Sequence, residues 1–63
     1  MFRVVEQFSK KEMGRFRSQA EAERWCGRVA YEQNYGRFRT WQKDGVIYMD
    51  CGPRTFILER LED

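Results

Sequence analysis

Apolar residues recur along this chain at two different spacings, and each change of spacing marks a change of element. Phe2-Arg3-Val4-Val5-Glu6-Gln7-Phe8 is rich in strand formers and partly alternating. Phe2, Val4 and Phe8 fall on one side of it, and Arg3, Val5 and Gln7 on the other. Residues 9–14 are polar and read as a turn. Arg15-Phe16-Arg17 is then a candidate short strand running back beside the first.

The period changes at Ser18-Gln19-Ala20-Glu21, an S-x-x-E capping box. The serine hydroxyl should accept the N–H three residues on, while the glutamate reaches back to the serine N–H. Ala22, Trp25, Cys26, Val29 and Ala30 follow at i, i+3, i+4, i+7 and i+8, one apolar stripe of an amphipathic helix. Asn34-Tyr35-Gly36 should end it, with Gly36 in the left-handed cap conformation. A helix over residues 19–34 would be ~23 Å long. Ala20, Gly27 and Tyr31 line up opposite the stripe, where the small residues would let another backbone approach.

Beyond the helix the chain reads as a three-stranded meander. Residues 37–43 alternate, Asp44-Gly45 is a strong hairpin turn, and residues 46–51 alternate again. A two-residue loop there sets Lys43 opposite Val46, Trp41 opposite Tyr48, Arg39 opposite Asp50 and Phe38 opposite Cys51. The aromatic pair and the opposite-charge pair in that register both favour pairing. Gly52-Pro53 marks the next reversal, and a matching loop sets Met49 against Phe56, Tyr48 against Ile57 and Ile47 against Leu58. The GRFR segments at 14–17 and 36–39 have different flanks, so no duplication is implied.

These elements predict a single small α+β domain over residues 1–63. One helix packs on a four-stranded, mainly antiparallel sheet in the order β-α-β-β-β, with an extra short strand at 15–17. Phe38, Thr40, Ile47, Met49, Cys51, Phe56 and Leu58, with Phe2, Val4 and Phe8, should face the helix. The opposite face should carry Arg37, Arg39, Trp41, Lys43, Val46, Tyr48, Asp50, Thr55, Ile57 and Glu59, with Trp41, Tyr48 and Ile57 in one row. That row invites a cover. The chain's own ends, or a ladder with its rim in water, are the plain alternatives to a partner.

Composition narrows the chemistry. With 63 residues, the domain buries only ~60% of the surface its unfolded chain exposes, so its core is thin. Histidine is absent, which removes the commonest general base near neutral pH. The sequence also lacks a nucleophile motif and a Gly-rich phosphate loop, so no enzyme, no cofactor and no small-molecule substrate are expected. Cys26 and Cys51 fall short of the four ligands of a structural metal site and read as buried apolar residues. No apolar run approaches the ~20 residues of a membrane span. Met1 to Glu6 lacks a secretory h-region, so no membrane and a reducing, cytoplasmic setting are expected. Size and composition suit a small bacterial or phage protein.

Two functional readings remain. An aromatic centre with a charged rim is interface anatomy, and nine arginines against three lysines suit stacking and bidentate contacts. The first reading is therefore a non-catalytic interaction module whose contact patch is Arg39, Trp41, Tyr48 and Ile57. Its partner would be a protein, a second copy of the chain included. The alternative is nucleic-acid binding through Arg37, Arg39, Trp41 and Lys43 on an open sheet. Residues 1–43 carry +5 and residues 44–63 carry −3, which favours a positive side. A net charge of only +2, with Asp50 and Glu59 on the same face, counts against it.

Overall fold

Among the described residues, five antiparallel strands form one sheet, in the spatial order β2-β1-β5-β4-β3, with a single helix on one side. The computed structural model describes residues 1–33 and 38–61. In chain order the elements are β1 (Phe2–Glu6), β2 (Glu12–Phe16), α1 (Gln19–Glu32), β3 (Phe38–Lys43), β4 (Val46–Cys51) and β5 (Arg54–Arg60). The α+β class is as read from the sequence; the fifth strand overlaps the extra short one expected at 15–17 but spans Glu12–Phe16, starting inside the turn expected over 9–14.

That fifth strand is β2, and its chemistry explains why alternation hid its first residues. Val4 pairs with Gly14 while Val5 pairs with Glu12, so Met13 is an extra residue at a bulge. The bulge shifts the side-chain period, and both Met13 and Phe16 pack against the core. The first strand is also shorter than its residue types suggest. After Glu6 the chain turns, because the Glu6 carboxylate accepts the Phe8 N–H at 3.1 Å and the Ser9 N–H at 2.8 Å. Those bonds hold the Glu6 pKa below its ordinary value. Phe8, expected in the core, therefore sits in the turn with 82% of its surface exposed.

Ser18 caps α1 as expected, its hydroxyl accepting the Glu21 N–H at 3.2 Å. The reciprocal half of the box differs: Glu21 reaches past Ser18 to accept the Arg17 N–H at 3.3 Å. Ala22, Cys26 and Ala30 are buried, with Trp25 and Val29 packed on their flanks. The helix ends at Glu32, and Gln33 closes it by donating to the Val29 carbonyl at 3.0 Å. The expected terminator, Asn34-Tyr35-Gly36, lies outside the described residues.

Both meander registers are as the turns require. Lys43 meets Val46, Trp41 meets Tyr48, and on the other side of β4 Tyr48 meets Ile57 and Met49 meets Phe56. Asp44 (φ 53°) and Gly45 (φ 79°) both adopt left-handed backbone, the signature of a type I′ hairpin turn. β5 then lies between β4 and β1, pairing Val4 with Leu58 and Val5 with Ile57. The last strand thus occupies the centre, and the core runs over it through Val4, Met49, Cys51, Phe56 and Leu58 to α1.

Gly27 does not lie on a free back surface. It borders Phe38, and an added Cβ would sit 3.9 Å from Phe38 Cδ1, an ordinary contact distance. Ala20 is exposed, and Tyr31 is 86% exposed. Since alanine is the better helix former by about 1 kcal/mol, Gly27→Ala should stabilise the domain by a comparable amount. Chemical denaturation would check this; a loss of stability would mean that Phe38 needs the space.

Candidate sheet-face interface

Pleating turns the odd-numbered residues of β3 away from the helix, and the hairpin carries their partners on β4 and β5 with them. Trp41, Tyr48 and Ile57 stand side by side across β3, β4 and β5. The β1–β5 register continues the row into Val5 and then Glu12 of β2. It therefore crosses all five strands, two more than sequence reasoning assigned. Val5 was already assigned to the open side of β1, but nothing local states which strand β1 pairs with. Although it faces away from the helix, Val5 is only 5% exposed, closed in by its neighbours on the sheet.

The exposed end of the row is ordered by stacking. The Trp41 and Tyr48 rings lie nearly parallel, 12° apart, with centroids separated by 5.4 Å. The Arg39 guanidinium lies 5.6 Å from the centroid of the Trp41 ring, within cation–π range. Arg39, Trp41 and Tyr48 are thus one layered unit, and Trp41 keeps 38% of its surface in water. Tyr48 and Ile57 are half-buried. Among the described residues no element lies over this face, the helix being on the other side.

Charge is distributed unevenly across the same face. On the β2-β1-β5 side, Arg3 bonds Glu59 at 3.0 Å and lies 3.9 Å from Glu12, which also pairs with Arg15 at 3.2 Å. These half-exposed pairs add little stability, but they neutralise that side. On the β3 side Asp50 stands opposite Arg39 and accepts from Thr55 Oγ1 at 3.5 Å. Lys43 lies at the end of the strand beside the turn. The face is a mixed-charge rim around an aromatic stack, with no continuous basic track among the described residues. Arg37, assigned to the nucleic-acid alternative, lies outside the described residues.

No family model matches the chain, and neither a curated protein nor a solved structure does. The geometry therefore stands alone.

Other candidate chemistry is quickly placed. Cys26 and Cys51 are buried free thiols between α1 and β4, and Cys51 Sγ donates to the Cys26 carbonyl at 3.6 Å. Burial pushes the Cys26 thiol up to about 12 and raises Cys51 as well, so both are protonated near neutral pH. Among the described residues no three metal-ligating side chains cluster, and no helix is long and apolar enough to cross a membrane. The two GRFR segments reach opposite edges of the sheet. Arg15 of β2 and Arg39 of β3 both lie on the open face, while Phe16 and Phe38 pack toward the helix.

Proposed function

We propose that the chain is a non-catalytic interaction module that binds a protein partner through the sheet face away from α1. The observation that carries this reading is the Arg39–Trp41–Tyr48 stack, held in one geometry before any partner arrives. Ordering costs are low for such a surface, because ring side chains have few torsions to fix and the stack already fixes them. Trp, Tyr and Arg are also the residue types that dominate interface energetics. Ile57 supplies an apolar floor beside the stack, and the paired Arg3, Arg15, Glu12 and Glu59 supply a polar rim. The pairing of those charges favours protein over nucleic acid, whose phosphates reward a one-sign surface.

The test is a double variant, Trp41→Ala with Tyr48→Ser. Neither side chain belongs to the helix-side core, so the variant should keep its circular dichroism spectrum and a cooperative melt. Each truncation at a contact centre should weaken partner binding by roughly 30-fold. Capture by the intact chain that persists with the variant would sink the reading. Titration with single-stranded RNA and DNA at ~50 and ~200 mM salt covers the alternative: tight binding that collapses at the higher salt would transfer the face to nucleic acid.

A further inference from the structure

The two edges of the sheet are not alike. β2 is blunted: its bulge at Met13 breaks the ladder, and Gly14 sits within it. β3 is a regular six-residue strand without proline or bulge, paired with β4 from Phe38 to Lys43. No described strand pairs with its outer side. Because Asp44-Gly45 is a two-residue turn, Lys43, Trp41 and Arg39 spend their backbone groups on β4. The N–H and C=O groups of Phe38, Thr40 and Gln42 therefore point outward, unpaired by any described strand.

We infer that β3 is a self-pairing edge: two copies of the chain join antiparallel through it, about a two-fold axis at Thr40. This goes beyond the reading of the open face as a partner surface: the second copy joins at the sheet edge, and the face itself stays open. The axis position follows from the side chains. Centred on Thr40, the outward backbone groups pair Thr40 with the partner's Thr40, and Phe38 with the partner's Gln42. On the open face Arg39 then stands opposite the partner's Trp41, and Trp41 opposite the partner's Arg39. That repeats across the axis the cation–ring contact already present within each chain. Centred instead on Trp41, Arg39 would face the partner's Lys43, like charges in the middle of the pair. In the Thr40 register no like charges stand opposite each other between the described residues, and the position facing Lys43 lies outside them.

The consequence is a ten-stranded sheet with both helices on one side and one continuous open face. Two Trp41–Tyr48 stacks would flank the axis, doubling the aromatic surface of a single chain.

Sedimentation across a concentration series tests the pairing, with Thr40→Pro as the key variant. Proline at 40 removes an outward N–H and the exposed bond that Thr40 Oγ1 donates to Glu23 Oε1 at 3.3 Å, and the bond ladder to β4 survives. The intact chain should dimerise, and Thr40→Pro should weaken the dimer by roughly 30-fold or more through the two bonds lost at the axis. If Thr40→Pro fails to fold, Thr40→Cys decides. Hydrogen-bonded partners on the axis have Cα atoms about 5.5 Å apart, within disulfide reach. Diamide should therefore take the two thiols rapidly to an intermolecular disulfide. Lys10→Cys, in the far β1–β2 turn, should not link. An intact chain that stays monomeric, or a Thr40→Cys variant that links no faster than Lys10→Cys, overturns the pairing and leaves the reading of the open face as it stands. A dimer that survives Thr40→Pro but is lost in Ile57→Lys overturns it in favour of face-to-face stacking, since Ile57 lies two strands from the edge.

Discussion

Phe56→Ala should remove most of the domain's stability at room temperature. Phe56 sits on the central strand with only 1% of its surface exposed, and its ring meets the Trp25 edge at a centroid distance of 5.3 Å. Trp25 in turn packs on Phe16, 5.9 Å away, so this ring ties α1 to both β5 and β2. Truncating a buried phenylalanine costs ~3–5 kcal/mol in lost transfer energy and cavity formation. A chain of this length is stable by only roughly 3–9 kcal/mol, so one substitution consumes most of the margin. The measurement is a urea titration followed by tryptophan fluorescence, with the far-ultraviolet spectrum in parallel. A cooperative transition displaced by less than ~1 kcal/mol would mean that the helix repacks over β5, which a close-packed interior does not readily allow. The two-residue loop at Gly52-Pro53 places Phe56 beside Met49, another fully buried side chain, so the site has no room to collapse cheaply.

The second large effect concerns the thiols. Cys26 and Cys51 are 0% exposed, so alkylation by iodoacetamide should require opening of the domain. Reaction should then be slower in the folded chain than in urea by a factor on the order of 10² to 10⁶, the unfolding equilibrium itself. Rapid modification of one thiol would instead report a local opening between α1 and β4. The same burial makes stability depend on alkaline pH. The folded state holds the Cys26 proton up to about pH 12, whereas the unfolded thiol releases it near its ordinary value of 9.0. Above that value the unfolded chain binds fewer protons than the folded one, so stability falls as pH rises from about 9 toward 12. Below it the contribution is fully present. Comparing urea midpoints at pH 8 and pH 10 for the intact chain and Cys26→Ala should show a smaller pH dependence in the variant. Equal slopes would assign the alkaline loss to other groups.

Much of this arrangement was legible in the sequence, and the reasons are local. The capping serine, the 3.6-residue stripe and the Asp44-Gly45 turn each specify geometry within a few residues. Once that turn has two residues, the register of Trp41 against Tyr48 follows from counting, and the next turn extends it to Ile57. The candidate patch was therefore readable as a row before any fold was known. Its ordering was not. The near-parallel stack of Trp41 on Tyr48, and the seat of Arg39 over the indole, depend on rotamers and sheet twist that residue order does not state.

Phe8 and β2 show the other side. Phe8 continues the apolar alternation of β1, yet a side chain two residues away decides its fate, because Glu6 captures the Ser9 and Phe8 N–H groups and turns the chain. β2 contains a glycine and a bulge, so its period-2 signal is broken within a strand of five residues. Strand pairing also supplies what residue types alone lack: Gly14 is a poor strand former that is retained through its register with Val4.

By itself the sequence determined everything fixed over short range: one helix with its buried stripe, two hairpin turns, the meander register, and a row of aromatic and apolar side chains on the face away from the helix. Only the tertiary structure decided which strands meet across long stretches of chain. It set β5 at the centre, joined β1 to it, brought Val5 into the row and left β3 as the regular open edge. The physical reason is the range of the information. Turn chemistry and periodicity act between neighbours, whereas the pairing of the first and last strands is chosen by burying Val4 and Leu58 together beneath α1.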